Sequence, residues 1–213
     1  MKLLISIYLL LFFCSCELQA QRTTEVSEST SLNESEQGFD SLFYQERFSK
    51  KAELLKEYLK KNAKYNQRFA ILIDMKKPSQ YNRFYVVNMD SLSIVSAGLV
   101  AHGSGSETGF EDSLQFSNTP NSYMTSLGKY KIGAAYIGNF GKSYKLHGLE
   151  SSNSKAFERF VVLHRYSCVP DDEQISPICN SLGCPMLSEN YFETLEALLQ
   201  KQSNKNIILE IFY

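Results

Sequence analysis

The chain has 213 residues and a mass of 24.3 kDa, room for one domain with tails. A hydrophobic share of 43 % with 21 % charged residues excludes a wholly disordered chain and a collagen-like one. Lys and Arg number 22 against 23 Asp and Glu, a net charge of -1, so there is no basic excess to bind nucleic acid through its phosphates.

Lys2 is followed by an apolar run from Leu3 to Phe13. That run is too short to span a bilayer, which takes about 20 residues. Residues 1–20 therefore read as a secretory signal peptide. Two processing sites compete. Cleavage after Ala20 gives a soluble exported protein. Cleavage before Cys16 gives a lipoprotein with Cys16 as the lipidated, membrane-anchoring residue. Either way the expected location is exported, in the periplasm or cell envelope, where disulfides persist. Residues 21–38 are rich in Ser, Thr and Glu and read as a disordered linker.

Residues 39–66 read as a helical segment. Phe48, Ala52, Leu55 and Leu59 recur at steps of four, three and four, one face of a helix, with Lys and Glu opposite. After Asn66 the period shortens. Strands are expected at Phe69–Asp74, Arg83–Asn88, Ser93–Ala101, Gly128–Ile137, Ser143–Leu146, Phe160–His164 and Asn206–Phe212. Residues 103–127 form a long Gly/Ser-rich stretch between strands, the kind of loop that carries function. A second helix is expected over about Glu189–Lys201, with Ser188 as its N-cap and Leu187 and Phe192 as a hydrophobic staple. Many strands and few helices predict a mostly-β or α+β domain.

The chemistry concentrates at His164 and at Ser181-Leu182-Gly183-Cys184-Pro185. A cysteine nucleophile works as its thiolate, and an imidazole provides that form by taking the proton. Gly183 permits a tight turn before Cys184, and backbone N–H groups around such a turn can hold an oxyanion. A buried cysteine at a turn is the competing structural reading. No CxxC or HxxxH pattern occurs and no Gly-rich phosphate loop, so neither metal nor cofactor is expected.

The order His–x16–Ser-Leu-Gly-Cys resembles the signature of the L,D-transpeptidases, the YkuD-like murein-modifying enzymes. Further blocks extend the resemblance over about residues 69–213. They are Arg83–Val86, Ala101–Ser106, Phe116-Ser117-Asn118, Thr125–Tyr130, His147–Glu150, Asn153-Ser154, Arg159 and Val161–His164. The likeness implies a YkuD-like β-sandwich catalytic domain over 67–213, with Cys184 as nucleophile and His164 as general base. Gly183 would lie near the oxyanion, and Ser181 would shape the loop. His147, His102, Arg159 and Ser126 are implied as substrate-binding candidates, with His147 also open as the base. The substrate implied is a peptidoglycan tetrapeptide stem, attacked by a monomer without cofactor. The acceptor is open between a stem amine, water and a protein amine, and a non-catalytic wall-binding lipoprotein is the rival of another class. Leu182, Met186 and Cys179-Asn180 depart from the family pattern. A Cys168–Cys179 disulfide would clamp the loop between them and leave Cys184 free; a Cys179–Cys184 lock is the alternative.

Overall fold

The computed structural model describes residues 41–110, 113–202 and 206–213. The expected signal peptide, Cys16 and the linker lie outside them. The chain divides between Arg47 and Phe48 into two compact units. Of the first, the described residues are 41–47, which open the helix α1 that covers 41–60. The second unit carries everything that follows.

Eight strands are found among the described residues: β1 (Phe69–Asp74), β2 (Phe84–Asn88), β3 (Ser93–Gly98), β4 (Gly128–Gly138), β5 (Gly141–Gly148), β6 (Val162–Arg165), β7 (Met186–Leu187) and β8 (Ile208–Phe212). They form one mixed sheet in the order β3-β2-β1-β8-β4-β5-β6-β7. The β1–β8 and β6–β7 pairs are parallel and the others antiparallel. Helix α2 (Glu189–Lys201) precedes β8.

Strand alternation explains the two cores. Ile71 and Ile73 of β1 face one cluster with Val86, Leu209 and Ile211. Ala70 and Leu72 face the other with Val87, Ile208 and Phe212. Central strands buried on both faces read as continuous apolar runs, as FAILID does. Helix α2 covers the first face through Phe192, Leu195 and Leu199. Its cap is the expected one, with the Tyr191 N–H donating to the Ser188 hydroxyl. The second face is covered by Ala52, Leu55 and Leu59, the predicted helical stripe. Each of the two leucines contributes about 1.5–3 kcal/mol by leaving water. Glu210 also points to this second face, where Lys51 and Lys129 reach it at 3.2 and 3.3 Å.

The chain leaving β3 turns back to the opposite end of the sheet. Ala101 N–H donates to the Met186 carbonyl at 2.9 Å, and Gly103 bridges Ser181. The two ends of the strand order are thereby joined. The expected α+β class holds, and the sandwich takes the form of one sheet bridged end to end. This closure brings residues 101–104 against residues 181–186. It also protects sheet edges that would otherwise be open to pairing.

Several expected boundaries shift: β3 ends at Gly98 and not Ala101, and β5 runs over Gly141–Gly148 and not Ser143–Leu146. Phe160 is not in the strand: its φ of 56° closes a run of turns over 151–160, and β6 begins at Val162. The two-residue β7 went unrecognised, because Met186-Leu187 is too short to show a period.

Candidate active site

Cys184 sits at the end of a turn fastened from several directions. The Ser181 N–H donates to the His102 carbonyl at 2.8 Å, and the Ser104 N–H donates to the Ser181 carbonyl at 2.7 Å. The Ser181 hydroxyl donates to the Cys184 carbonyl at 2.6 Å and accepts the Gly183 N–H at 3.1 Å. Gly183 has φ of +113°, a region that suits glycine. The turn thus commits the Gly183 N–H to Ser181. Among the described residues the Cys184 N–H has no hydrogen-bond partner, so it is the donor the turn leaves for an oxyanion.

The thiol faces the start of β6. Its Sγ accepts the Val162 N–H at 3.4 Å and donates to the Phe160 carbonyl at 3.7 Å. Burial raises the thiol above its ordinary value, while the Val162 bond and the Arg159 charge pull the other way. The resting group is therefore mainly the neutral thiol at neutral pH. It is also the free cysteine among the described residues, because Cys168 and Cys179 are disulfide-bonded across a Cα–Cα distance of 6.1 Å.

His164 lies on β6, two residues after Val162 and on the same face. Its N–H donates to the Pro185 carbonyl at 3.4 Å, so the strand holding His164 runs beside the chain emerging from Cys184. The ring Nδ1 lies 3.0 Å from the Arg165 carbonyl. A carbonyl only accepts, so Nδ1 carries the proton and Nε2 keeps its lone pair. Phe140 stacks on the ring at a centroid distance of 4.3 Å. Burial lowers the imidazole below its ordinary value, against the Arg165 bond, and keeps it neutral. A buried neutral imidazole of fixed tautomer, with a free lone pair, can take a thiol proton.

The other candidates are placed differently. His147 on β5 stacks on Phe157 at 5.0 Å and packs over Gly133, where a Cβ would come within 2.6 Å of its Nε2. Burial and then Lys131 and Lys145 lower its pKa. His102 is buried: its Nδ1 accepts from the Arg83 guanidinium at 2.8 Å, so its Nε2–H donates to Glu107 at 2.7 Å. Burial, then the Arg83 charge, lowers the His102 pKa against the pull of Glu107. The His102 ring is engaged by Arg83 and Glu107, and its carbonyl holds Ser181.

Arg159 is likewise committed within the protein. Its guanidinium donates to the Met124 and Ser117 carbonyls at 2.6 and 2.9 Å and to the Ser126 hydroxyl at 3.3 Å. It pins the 117–126 loop beside Cys184. Ser126 is buried against Tyr130, with the two hydroxyls 2.7 Å apart. The contacts of the thiol with the Phe160 and Val162 backbone are invisible in the sequence, because backbone groups leave no residue signature. The buried Arg83 was legible only as part of a strand block. Among the described residues no group of three or more His, Cys, Asp or Glu is placed to hold a metal ion.

The family model of the L,D-transpeptidase catalytic domain (YkuD_2) matches residues 41–207. The chain belongs to that family. Among curated proteins none matches it. Among solved structures it is similar to the L,D-transpeptidase from Xylanimonas cellulosilytica, at 14 % identity and a TM-score of 0.36, over 68 % of this chain and 60 % of that one. It is also similar to an L,D-transpeptidase from Mycobacterium smegmatis, at 10 % identity and a TM-score of 0.38, over 68 % and 59 %. The chain thus spans about three fifths of the length of these two structures.

Proposed function

We propose that this protein is a cysteine-dependent L,D-transpeptidase of the cell envelope, acting on peptidoglycan tetrapeptide stems. His164 Nε2 takes the Cys184 proton. The thiolate attacks the carbonyl between the third residue of the stem and the terminal D-residue. The Cys184 N–H faces the oxyanion that develops. The C–N bond breaks, His164 returns its proton to the leaving amine, and a thioester remains on Cys184. An amine of a second stem attacks the thioester, giving its proton to His164 and freeing the thiol. The acceptor amine and the departing D-residue balance the exchange, and no redox partner is needed.

The observation that carries this reading is a thiol on the Gly183 turn, held against the start of β6, with a neutral His164 on that same strand whose Nδ1 is tied to the Arg165 carbonyl. Because burial holds the thiol neutral, the thiolate must be made in the site, which is what a base of this tautomer supplies. Residues 1–20 support an envelope location and Cys16 a lipid anchor. The test is incubation of purified protein, and of Cys184→Ala, with tetrapeptide-stem muropeptides, read by mass spectrometry. Dimers with loss of the terminal D-residue, absent in the variant, are expected. Release without dimers would make it an L,D-carboxypeptidase, and dimers formed equally by the variant would remove Cys184 from the mechanism. No product from the folded, reduced protein would favour the wall-binding alternative.

A further inference from the structure

The face of the sheet that bears His164 carries a second group of charged side chains. In the β5–β6 pairing, Ser143 lies opposite His164 and Lys145 opposite Val162, whose N–H touches the nucleophile. In the β4–β5 pairing, Lys131 lies opposite His147. Strand alternation turns Ser143, Lys145 and His147 to the same side, away from Tyr144 and Leu146, which enter the core. Lys145 is therefore one strand away from the backbone that holds Sγ. Directly opposed residues in antiparallel strands have Cα atoms about 5 Å apart.

Lys145 is also held in a particular setting. Its Nζ lies 5.7 Å from the Tyr136 ring centroid and 5.4 Å from that of Phe157. With Phe160, Val161 and Val162 these residues line a cavity of about 240 Å³. Phe160 and Val162 are the residues whose backbone contacts the thiol, so the cavity adjoins the reacting sulfur. Its walls are otherwise aromatic and aliphatic. Among the described residues neither Lys145 nor Lys131 has a carboxylate partner, whereas Lys51, Lys129, Lys142 and Arg165 all do. A cation poised over two rings at an apolar cavity, without a counter-ion, is arranged to receive one.

We propose that Lys145 is the specificity residue of a carboxylate subsite beside Cys184, which reads a free carboxylate on the side chain of the stem residue being acylated. This rests on the stem-peptide reading above. Tyr136 and Phe157 would hold the aliphatic stem of that side chain while the ammonium pairs with its carboxylate, and Lys131 would add a longer-range positive field. A neutral side chain at this position, a carboxamide or an uncharged alkyl group, would forgo the ion pair and leave Lys145 unneutralised.

The test separates binding from turnover by using full-length Cys184→Ala protein. Two tetrapeptide stems are titrated that differ only in whether the third side chain ends in a carboxylate or a carboxamide. The carboxylate stem is expected to bind about tenfold more tightly, the scale of one charge-assisted hydrogen bond. Adding Lys145→Met should abolish that gap, while adding Lys145→Arg, which keeps the charge, should preserve most of it. Equal binding of the two stems, binding of neither, or a gap that survives Lys145→Met would overturn the subsite. If the gap behaves as expected but wild-type protein turns over neither stem, the subsite stands and the transpeptidase reading falls.

Discussion

At Gly183 an added Cβ would sit 2.9 Å from the Met124 carbonyl oxygen, at a φ of +113° that side chains avoid. Gly183→Ala must therefore shift the turn that aims Cys184. It should cost about 1–3 kcal/mol of stability and reduce activity much further than that loss alone. Urea melts and stem turnover on the same samples check this, and unchanged turnover would show that the turn does not set the nucleophile. Burial holds His102, His147 and His164 below the ordinary imidazole value. Unfolded, each takes a proton as pH falls through about 6.5, and folded, each resists. The unfolded state then binds more protons, so stability is full above about pH 6.5 and declines below it. The urea midpoint should be lower at pH 5.5 than at pH 7.5, and an equal or higher midpoint at pH 5.5 would contradict the burial of these rings.

The strap between Cys168 and Cys179 is an element in its own right. Beyond the disulfide it is fixed by the Ile178 N–H on the Ser79 hydroxyl at 3.2 Å and the Gln174 N–H on the Gln80 carbonyl at 3.0 Å. Asn180 and Ser181, which begin the nucleophile turn, follow directly. Replacing both cysteines by serine should cost on the order of 3 kcal/mol for a loop of this size. It should also speed proteolysis between 169 and 178. An unchanged denaturation midpoint would mean that the remaining hydrogen bonds suffice. Periodicity made the long elements legible: α2 falls at Glu189–Lys201 and β1 at Phe69–Asp74, as expected. It failed at Phe160, where a positive φ is invisible in a phenylalanine, and at β7, whose identity depends on its partner β6. The candidate site divides in the same way. Cys184 and His164 announce themselves by residue type and order. The engagement of Arg159 with Ser117 and Met124 carbonyls depends on where a distant loop folds.

For the whole molecule, the consequential feature is that β1 and β8, from near the two ends of the described chain, pair in parallel at the centre of the sheet. Their second face is covered by the helix stripe Ala52, Leu55 and Leu59. A chain started at Phe69 would expose Leu72, Val87, Ile208 and Phe212 together, a patch that invites aggregation. Such a truncation should be insoluble or lack dispersed amide resonances, and a well-dispersed spectrum would show that the helix is dispensable. The bridge from Ala101 to Met186 does for the other end of the fold what that central pairing does for the middle. It carries His102 and Gly103 to the nucleophile turn.

In the proposed mechanism Cys184 carries the acyl group. The most direct test is intact-protein mass spectrometry of the reduced protein mixed with a tetrapeptide stem in the absence of acceptor, followed by peptide mapping. A transient mass gain equal to the stem minus its terminal D-residue, mapped to Cys184 and released by hydroxylamine, is the expected result. A folded protein that releases the D-residue without any adduct on Cys184, or with the adduct on another residue, would contradict the account.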